Sequence, residues 1–463
     1  MISKAQYIAT ITRFLGGIYL ARTIDPIYFG QQGLAISVIS LIWSFVMLGE
    51  EPALIREQKN IRDYVKNLLF VRISIICILA VAVCFLFFFN LFPGSDNIKY
   101  YMVLLFVAEI PAHITSIYAA YINKNMLFKR LAVITFLPTV VGVALGCYLA
   151  SIGYTIWALL WFFISERIMV AILNLLLCPD LFLPKFDKKL LLEFLGFSKY
   201  VYTTSLLDRA YGQIDNITIG SVIGESSLGF YQRAYGLGGL LQTLVVGGLN
   251  TVIQPVFAKQ QDKKKELGIS FELASGFLFR VSMFAFIGLS LILPKLIALI
   301  YGSKWLPAAE IFWWLLPFGL LQCLRGFLRG AHQVAGSVKI LTVSQIIEML
   351  VFIVLLYPMI LWKGVMGVAI VVDVVTVIGV TLMLISFKKY AEFKIRSIFA
   401  NAIIIAFISA TIVTLLGGIP IYSQLSDLIN ISITIILFSA CYVTLLLTLE
   451  FSKVKLYLDL IKR

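Results

Sequence analysis

Long apolar runs, broken by short polar segments, make up nearly the whole chain. Fourteen of them approach the roughly 20 residues that a helix needs to cross a bilayer. They are 5–22, 29–48, 66–92, 98–122, 131–152, 155–178, 199–223, 228–256, 271–294, 307–331, 338–362, 364–387, 398–416 and 428–449. Within each run the apolar positions are continuous. Strands of a membrane β-barrel, which alternate over about ten residues, are therefore excluded. Two breaks are minimal: Gly153-Tyr154 between the fifth and sixth runs, and Lys363 between the eleventh and twelfth. The pattern predicts an all-α polytopic membrane protein with about fourteen transmembrane helices.

Composition agrees. Of 463 residues, 60% are hydrophobic and 13% charged, against roughly 45–50% and about 25% in soluble domains. Soluble, disordered, collagen-like and coiled-coil classes fall away on these values. The net charge of +14, from 38 basic and 24 acidic residues, reads first as topology. With the N-terminus inside, the inside segments hold most of the basic residues. These include Arg56, Lys59, Arg62 and Lys66; Lys124, Lys129 and Arg130; Lys185, Lys188, Lys189 and Lys199; Lys259 and Lys263; Arg325 and Arg329; and Lys388 and Lys389. The outside segments hold only Arg22, Lys99, Arg233, Lys295, Lys304 and Lys363. This asymmetry orients the chain in a cytoplasmic membrane with both termini cytoplasmic. The first run lacks a small-residue cleavage pattern and reads as a retained span.

No outside loop is long enough for a catalytic domain. The six cysteines sit in or beside apolar runs without a CxxC pair, and His113 and His332 cannot form a metal site alone. Walker, HExxH and GxSxG sequences are absent. The expectation is a protein that is not an enzyme, has no cofactor or metal, and binds no nucleic acid. The inside segment 179–198, with Leu190, Leu191, Leu192, Phe194 and Leu195, reads as an amphipathic surface helix joining two halves. The chain divides into a first lobe at 1–178 (spans one to six) and a cytoplasmic linker at 179–198. A second lobe follows at 199–387 (spans seven to twelve), and 388–463 holds spans thirteen and fourteen with a cytoplasmic tail.

The halves repeat at an offset of 199 residues. Ile24-Asp25-Pro26-Ile27-Tyr28-Phe29-Gly30, followed by Ala35, lies over Ile223-Gly224-Glu225-Ser226-Ser227-Leu228-Gly229, followed by Ala234. Gly49 falls on Gly248, and each long helix is followed by a proline, Pro52 or Pro255. Six spans per repeat give both halves the same orientation, with an axis along the membrane normal.

On this pattern the sequence resembles a family. Leu20-Ala21-Arg22-Thr23-Ile24-Asp25-Pro26 with Phe29-Gly30, and Leu48-Gly49 leading to Pro52-Ala53-Leu54-Ile55-Arg56, are similar to the start of oligosaccharide flippases of the polysaccharide transporter (Wzx-type) family. So are Asp215-Asn216-Ile217-Thr218-Ile219-Gly220, then Leu228-Gly229-Phe230-Tyr231-Gln232-Arg233-Ala234-Tyr235, then Trp305-Leu306-Pro307-Ala308-Ala309. The resemblance covers nearly the whole chain and rests on order and spacing. It places the chain in the multidrug/oligosaccharidyl-lipid/polysaccharide (MOP) exporter superfamily. That superfamily also holds multidrug cation antiporters (MATE) and lipid II flippases (MurJ). It implies two six-helix lobes around a central cavity plus two C-terminal helices, working by alternating access. The implied cargo is an undecaprenyl-diphosphate-linked oligosaccharide crossing the inner membrane for O-antigen, capsule or exopolysaccharide synthesis. The implied setting is a monomer among membrane lipid, with polymerase and chain-length partners. One departure is the short segment before the first span, which leaves open a clipped start.

Charges inside the spans point to function without the family. A charge at a helix centre costs roughly 2.5–3.5 kcal/mol on insertion scales. Five basic residues remain within spans: Arg13, Arg72, Arg167, Arg209 and Arg280. Arg72 can snorkel to the inner surface. Arg13, Arg167 and Arg209 are near mid-span, and Arg280 is intermediate. At the repeat offset Arg13 lies over Gly212, one turn from Arg209. Converging guanidiniums suit a diphosphate, whose oxygens they bind bidentately. The candidate substrate set is Arg13, Arg209, Arg280 and Arg167, with Tyr231 and Gln232 along a sugar path. Candidate ion-coupling carboxylates are Asp208 and Asp215, on one face of span seven, and Glu109, at i,i+4 to His113 beside Pro111.

The competing reading is structural pairing with Glu109, Glu166, Asp208, Asp215, Glu272, Glu310, Glu348 or Asp373. Neighbours such as Glu166 and Arg167 project about 100° apart, so their partners lie on other helices. Three other functions stay open. A multidrug cation antiporter calls for acidic groups at the cavity centre. A lipid II flippase differs only in its cargo. A membrane polysaccharide polymerase calls for a large outside loop.

Overall fold

A computed structural model describes residues 2–47, 54, 61–260, 263–417 and 426–462. The described residues form helices and no strands. The first ones are α1 (Ile2–Thr23), α2 (Pro26–Ser44), α3 (Ile61–Phe88), α4 (Asp96–Lys124), α5 (Phe128–Ser151) and α6 (Ile156–Leu177). Then come α7 (Lys188–Thr218), continued by a π-turn at Ile219–Ile223, α8 (Glu225–Gln260) and α9 (Lys264–Ile300). The remainder are α10 (Pro307–Trp314), α11 (Leu316–Val334), α12 (Val338–Lys363), α13 (Val365–Phe387), α14 (Ile395–Gly417) and α15 (Asp427–Lys462). The motif residues Leu48, Gly49, Pro52, Ala53, Ile55 and Arg56, and the basic residue Lys59, lie outside the described residues.

Among the described residues every apolar run falls mostly on helix, yet the span count differs from fourteen. Ten described helices are long and apolar enough to cross a membrane, eleven if α10 and α11 are one broken span. The shortfall is α1, α7 and α8, which carry more charged, polar and glycine positions than the rest. The chain is a multi-pass membrane protein. Its tenth apolar run bends by 57° at Leu315. The cause is Pro317, which lacks an N–H and crowds the carbonyl one turn back. Asp373 on α13 takes up the Phe318 N–H at 2.7 Å.

The chain divides into two compact units, Met1–Gly229 and Phe230–Arg463. In the first, α5 packs on α1 and α6, α4 on α2, α3 and α6, and α2 on α7. In the second, α9 packs on α11, α14 and α15, and α13 on α11 and α12. The α12–α13 reversal turns on Gly364, whose φ of +57 suits glycine.

The segment 179–198 is not a separate surface helix. Residues 179–187 are pinned to α3 and α4 without helical structure. Tyr118 donates its hydroxyl to the Phe182 carbonyl (3.0 Å) and Tyr121 to Asp180 (2.7 Å), while the Asp187 N–H donates to Asn67 (3.0 Å). The Asp187 side chain then accepts the Lys189 and Leu190 N–H groups. That cap starts α7 at Lys188, ahead of the run read from the sequence. Phe194 is buried in the cluster with Tyr64, Leu68 and Tyr118, and Leu192 is exposed. Amphipathicity was legible, but the capping carboxylate makes this stretch the opening turns of α7.

The repeat has a structural counterpart within the first unit. A side chain at Gly30 would strike the Glu225 carbonyl, and one at Gly229 would strike the Pro26 carbonyl. Glu225 is the repeat equivalent of Pro26, and Gly229 that of Gly30. The starts of α2 and α8 thus cross at a doubled glycine contact. The Glu225 carboxylate adds hydrogen bonds from Gln31 (2.7 Å) and Ser95 (2.8 Å). Gly229→Leu is expected to lose about 1–3 kcal/mol by overpacking. Thermal unfolding of purified protein would read this as a lowered midpoint, with Gly229→Ala milder.

Candidate functional site

Charge gathers inside the first unit, on helices that cross the membrane by the sequence pattern. α6 presents Glu166 and Arg167 next to each other. Their projection in different directions lets one helix serve two neighbours. Glu166 forms an ion pair with Arg13 of α1, and Thr139 of α5 donates to the same carboxylate oxygen at 3.1 Å. Arg13 also donates to Thr139 at 3.2 Å. On the other side, Arg167 Nε lies 3.3 Å from Glu109 Oε1 on α4, with its guanidinium 4.7 Å from the Phe163 ring centroid. For Glu166 and Arg167 the partners stand on other helices.

Glu109 is further tied to His113, one turn on, at 3.5 Å. The His113 ring stacks on Trp43 of α2, with centroids 4.0 Å apart. Arg72 of α3 donates to the His113 carbonyl at 2.7 Å and also bonds Ser116. Arg72 is buried, so it does not snorkel as expected; its charge turns inward to this cluster. Pro111 lies between Glu109 and His113 and breaks the local backbone ladder.

Exposure sorts these groups. The carboxylates are withdrawn, with side chains 6% exposed at Glu109 and 18% at Glu166, while Arg13 is 52% and Arg167 43% exposed. Two guanidiniums are thus held from behind by acid and left open in front. Such forks can bind a phosphate or carboxylate bidentately. On α7, Arg209 is exposed, and no atom lies near the open face of Gly212. Asp215 is buried and accepts the Asn216 N–H at 2.7 Å. Asp208 is half-buried. Because α1 packs on α5 and α7 packs on α2, Arg13 and Arg209 stand on helices with different supports.

The second unit treats its charges differently. Arg280, expected at the substrate, is buried on α9 and faces Glu450 of α15 at 2.5 and 2.6 Å. Asn401 of α14 donates to the same carboxylate (2.9 Å), and Tyr442 donates to the Arg280 carbonyl (2.9 Å). In this conformation Arg280 ties the two C-terminal helices to α9. The backbone kinks at Glu450 (φ −137, ψ 32), so the carboxylate turns inward where a straight helix would have continued. Tyr231 is fully buried against Tyr235, and Gln232 is half-buried.

Three features escaped sequence reading. Glu450 follows directly on the last apolar run, which ends at 449. Arg325 was read as an inside-loop residue but is buried on α11, 2.7 Å from Glu348 of α12. Arg233, read as an outside charge, lies 4.9 Å from the ring centroids of both Tyr301 and Trp305. This last contact joins two of the quoted motifs. Among the described residues no group of three His, Cys, Asp or Glu could hold a metal.

Comparison with known proteins agrees with this architecture. The chain is 21% identical over 372 residues to an uncharacterized membrane protein in the cps region of Klebsiella pneumoniae, covering 77% of this chain and 74% of that one. It is 26% identical over 242 residues to the teichuronic acid biosynthesis protein TuaB of Bacillus subtilis, covering 50% and 49%. A third relative is the lipopolysaccharide biosynthesis protein WzxC of Escherichia coli, 22% identical over 143 residues, covering 31% of this chain and 28% of that one. Among solved structures, an inward closed lipid II flippase MurJ superposes with a TM-score of 0.78, 15% identity and coverage of 98% and 99%. An inward-facing MATE transporter of the MOP superfamily gives 0.63, 14% identity and coverage of 82% and 95%. The family model described as polysaccharide biosynthesis protein matches residues 19–310, more than half of the sequence. The chain therefore belongs to the polysaccharide biosynthesis protein family and shares the fold of the MurJ and MATE structures.

Proposed function

We propose that the protein is a flippase. It carries a lipid-linked oligosaccharide with a diphosphate linkage across the cytoplasmic membrane for surface polysaccharide synthesis. The observation that carries this is the pair of open guanidiniums, Arg13 on α1 and Arg167 on α6, both within spans by the sequence pattern. A charged group facing lipid is costly, so open cations at this depth belong to a wet surface that receives an anion. Arg209 on α7 adds a third. A multidrug cation antiporter would present its carboxylates, whereas here the carboxylates are withdrawn behind the arginines. The polysaccharide relatives favour an oligosaccharide cargo, and the inside-rich Lys and Arg pattern favours loading from the cytoplasm. Rocking between inward and outward states, with the lipid tail kept in the bilayer, completes the cycle.

Deletion of the gene in its host tests this. Surface polysaccharide should fall while lipid-linked repeat units accumulate on the inner leaflet. Normal surface polysaccharide with no accumulation overturns the proposal. Polymer length changing at constant total export would assign the protein to polymerisation. Arrested growth with accumulating lipid II would assign it that cargo.

A further inference from the structure

Glu109 carries more than a partner for Arg167. It is buried, and each of its oxygens meets a different group: Arg167 Nε lies 3.3 Å from Oε1 and His113 Nε2 3.5 Å from Oε2. The first is open on its far side and the second is not, with side chains 43% and 18% exposed. The other elements packed on α4 leave few charges near the pair. α2 presents Trp43 and carries no charged residue. α3 presents Arg72, which holds the His113 carbonyl. α6 presents Arg167 and, facing the other way, Glu166 with Arg13. α5 brings only Lys129 and Arg130, at its start. Arg167 is thus the cation that meets the Glu109 carboxylate directly.

We propose that Glu109 and His113 form a proton-binding pair whose occupancy is set by Arg167. This rests on the anion-binding reading of Arg13 and Arg167. An incoming phosphate turns the Arg167 guanidinium outward and away from Glu109. A buried carboxylate without its cation is unfavourable. One proton from solvent then forms an O–H bond on Glu109 or an N–H bond on His113, and the pair shares it. When the anion leaves, Arg167 returns and the proton departs to solvent. Anion binding and proton uptake are thus linked, so that pH changes the affinity for the anion.

A cavity comes close to the pair on the backbone side of His113. It has a volume of about 350 Å³ and lies where α1 and α5 begin and α2 and α4 end. Gln6, Asn123 and Thr135 line it, and its wall includes Arg72 and Ser116. Those two residues are the ones bonded at the His113 carbonyl. By the Lys and Arg pattern these helix ends are cytoplasmic.

Calorimetric titration of the purified protein with inorganic pyrophosphate tests the inference, run near neutral pH in two buffers of different ionisation enthalpy. The difference gives protons taken up per anion bound. The wild type should take up about one proton, the number a single shared site holds. Glu109→Gln should bind pyrophosphate with uptake near zero. If that variant does not fold, Arg167→Gln replaces it. There Glu109 is already neutral, and residual binding should bring no proton. Pyrophosphate binding without proton uptake in the wild type overturns this inference and leaves the anion reading standing. Uptake that persists in either variant also overturns it. No pyrophosphate binding in the wild type removes the anion reading and this inference with it.

Discussion

Replacing Arg13 and Arg167 together by alanine is expected to abolish export while leaving the protein in the membrane. Each open guanidinium can make two charge-assisted hydrogen bonds to phosphate, worth roughly 1.5–3 kcal/mol apiece. Losing one should cost about tenfold or more in transport, and losing both should leave no measurable surface polymer. The singles will differ in character. Arg13→Ala leaves Glu166 with Thr139, a hydroxyl that already donates to it. Arg167→Ala leaves the buried Glu109 with only His113 beside it. Lysine at either position keeps the charge but loses the fork, so partial export is expected. Full export in the double variant, with normal protein level, would remove these residues from the substrate site.

Arg280→Ala should instead cost fold stability. Its guanidinium and the Glu450 carboxylate are almost fully enclosed, with side chains 3% and 1% exposed. Removing one member of a buried pair leaves an uncompensated charge, and the typical penalty is about 3–5 kcal/mol. α14 and α15 would loosen from α9 first, because Asn401 and the Tyr442 hydroxyl meet at the same place. The check is thermal unfolding in detergent, with proteolysis mapping which helices open. Arg280→Met combined with Glu450→Leu should recover much of the loss, because the pair is then removed as a whole. A substrate contact would give the opposite result: normal stability, poor export, and no rescue by the apolar pair.

These three arginines show what sequence reading reaches. Depth within an apolar run can be read from position alone, and it rightly singled out Arg13, Arg167 and Arg280 as charges needing an explanation. Which explanation applies depends on what stands across the helix interface. For Arg280 that is Glu450, 170 residues away, at a place where the apolar run had already ended. The kink that turns Glu450 inward leaves no mark in a pattern of apolar and polar residues. Arg325 failed for a related reason. It lies near the polar end of its run and looks like an inside anchor, but the bend at Leu315 and the pairing with Glu348 place it in the core. Helix positions were legible because bilayer-spanning runs must be apolar throughout. The opening of α7 was misplaced because one capping aspartate, Asp187, decides it.

The doubled glycine contact between the starts of α2 and α8 has an evolutionary consequence. A chain made by duplication carries two copies of each position, and these are usually free to diverge. Gly30 and Gly229 are not, because each copy's glycine admits the other copy's backbone. A larger residue in one half cannot be relieved by changes in that half alone. The two glycines, with Pro26 and Glu225, should therefore drift as a set in descendants of the duplication. They would hold the memory of the ancestral half-sequence longer than the arginines, which already differ between the halves.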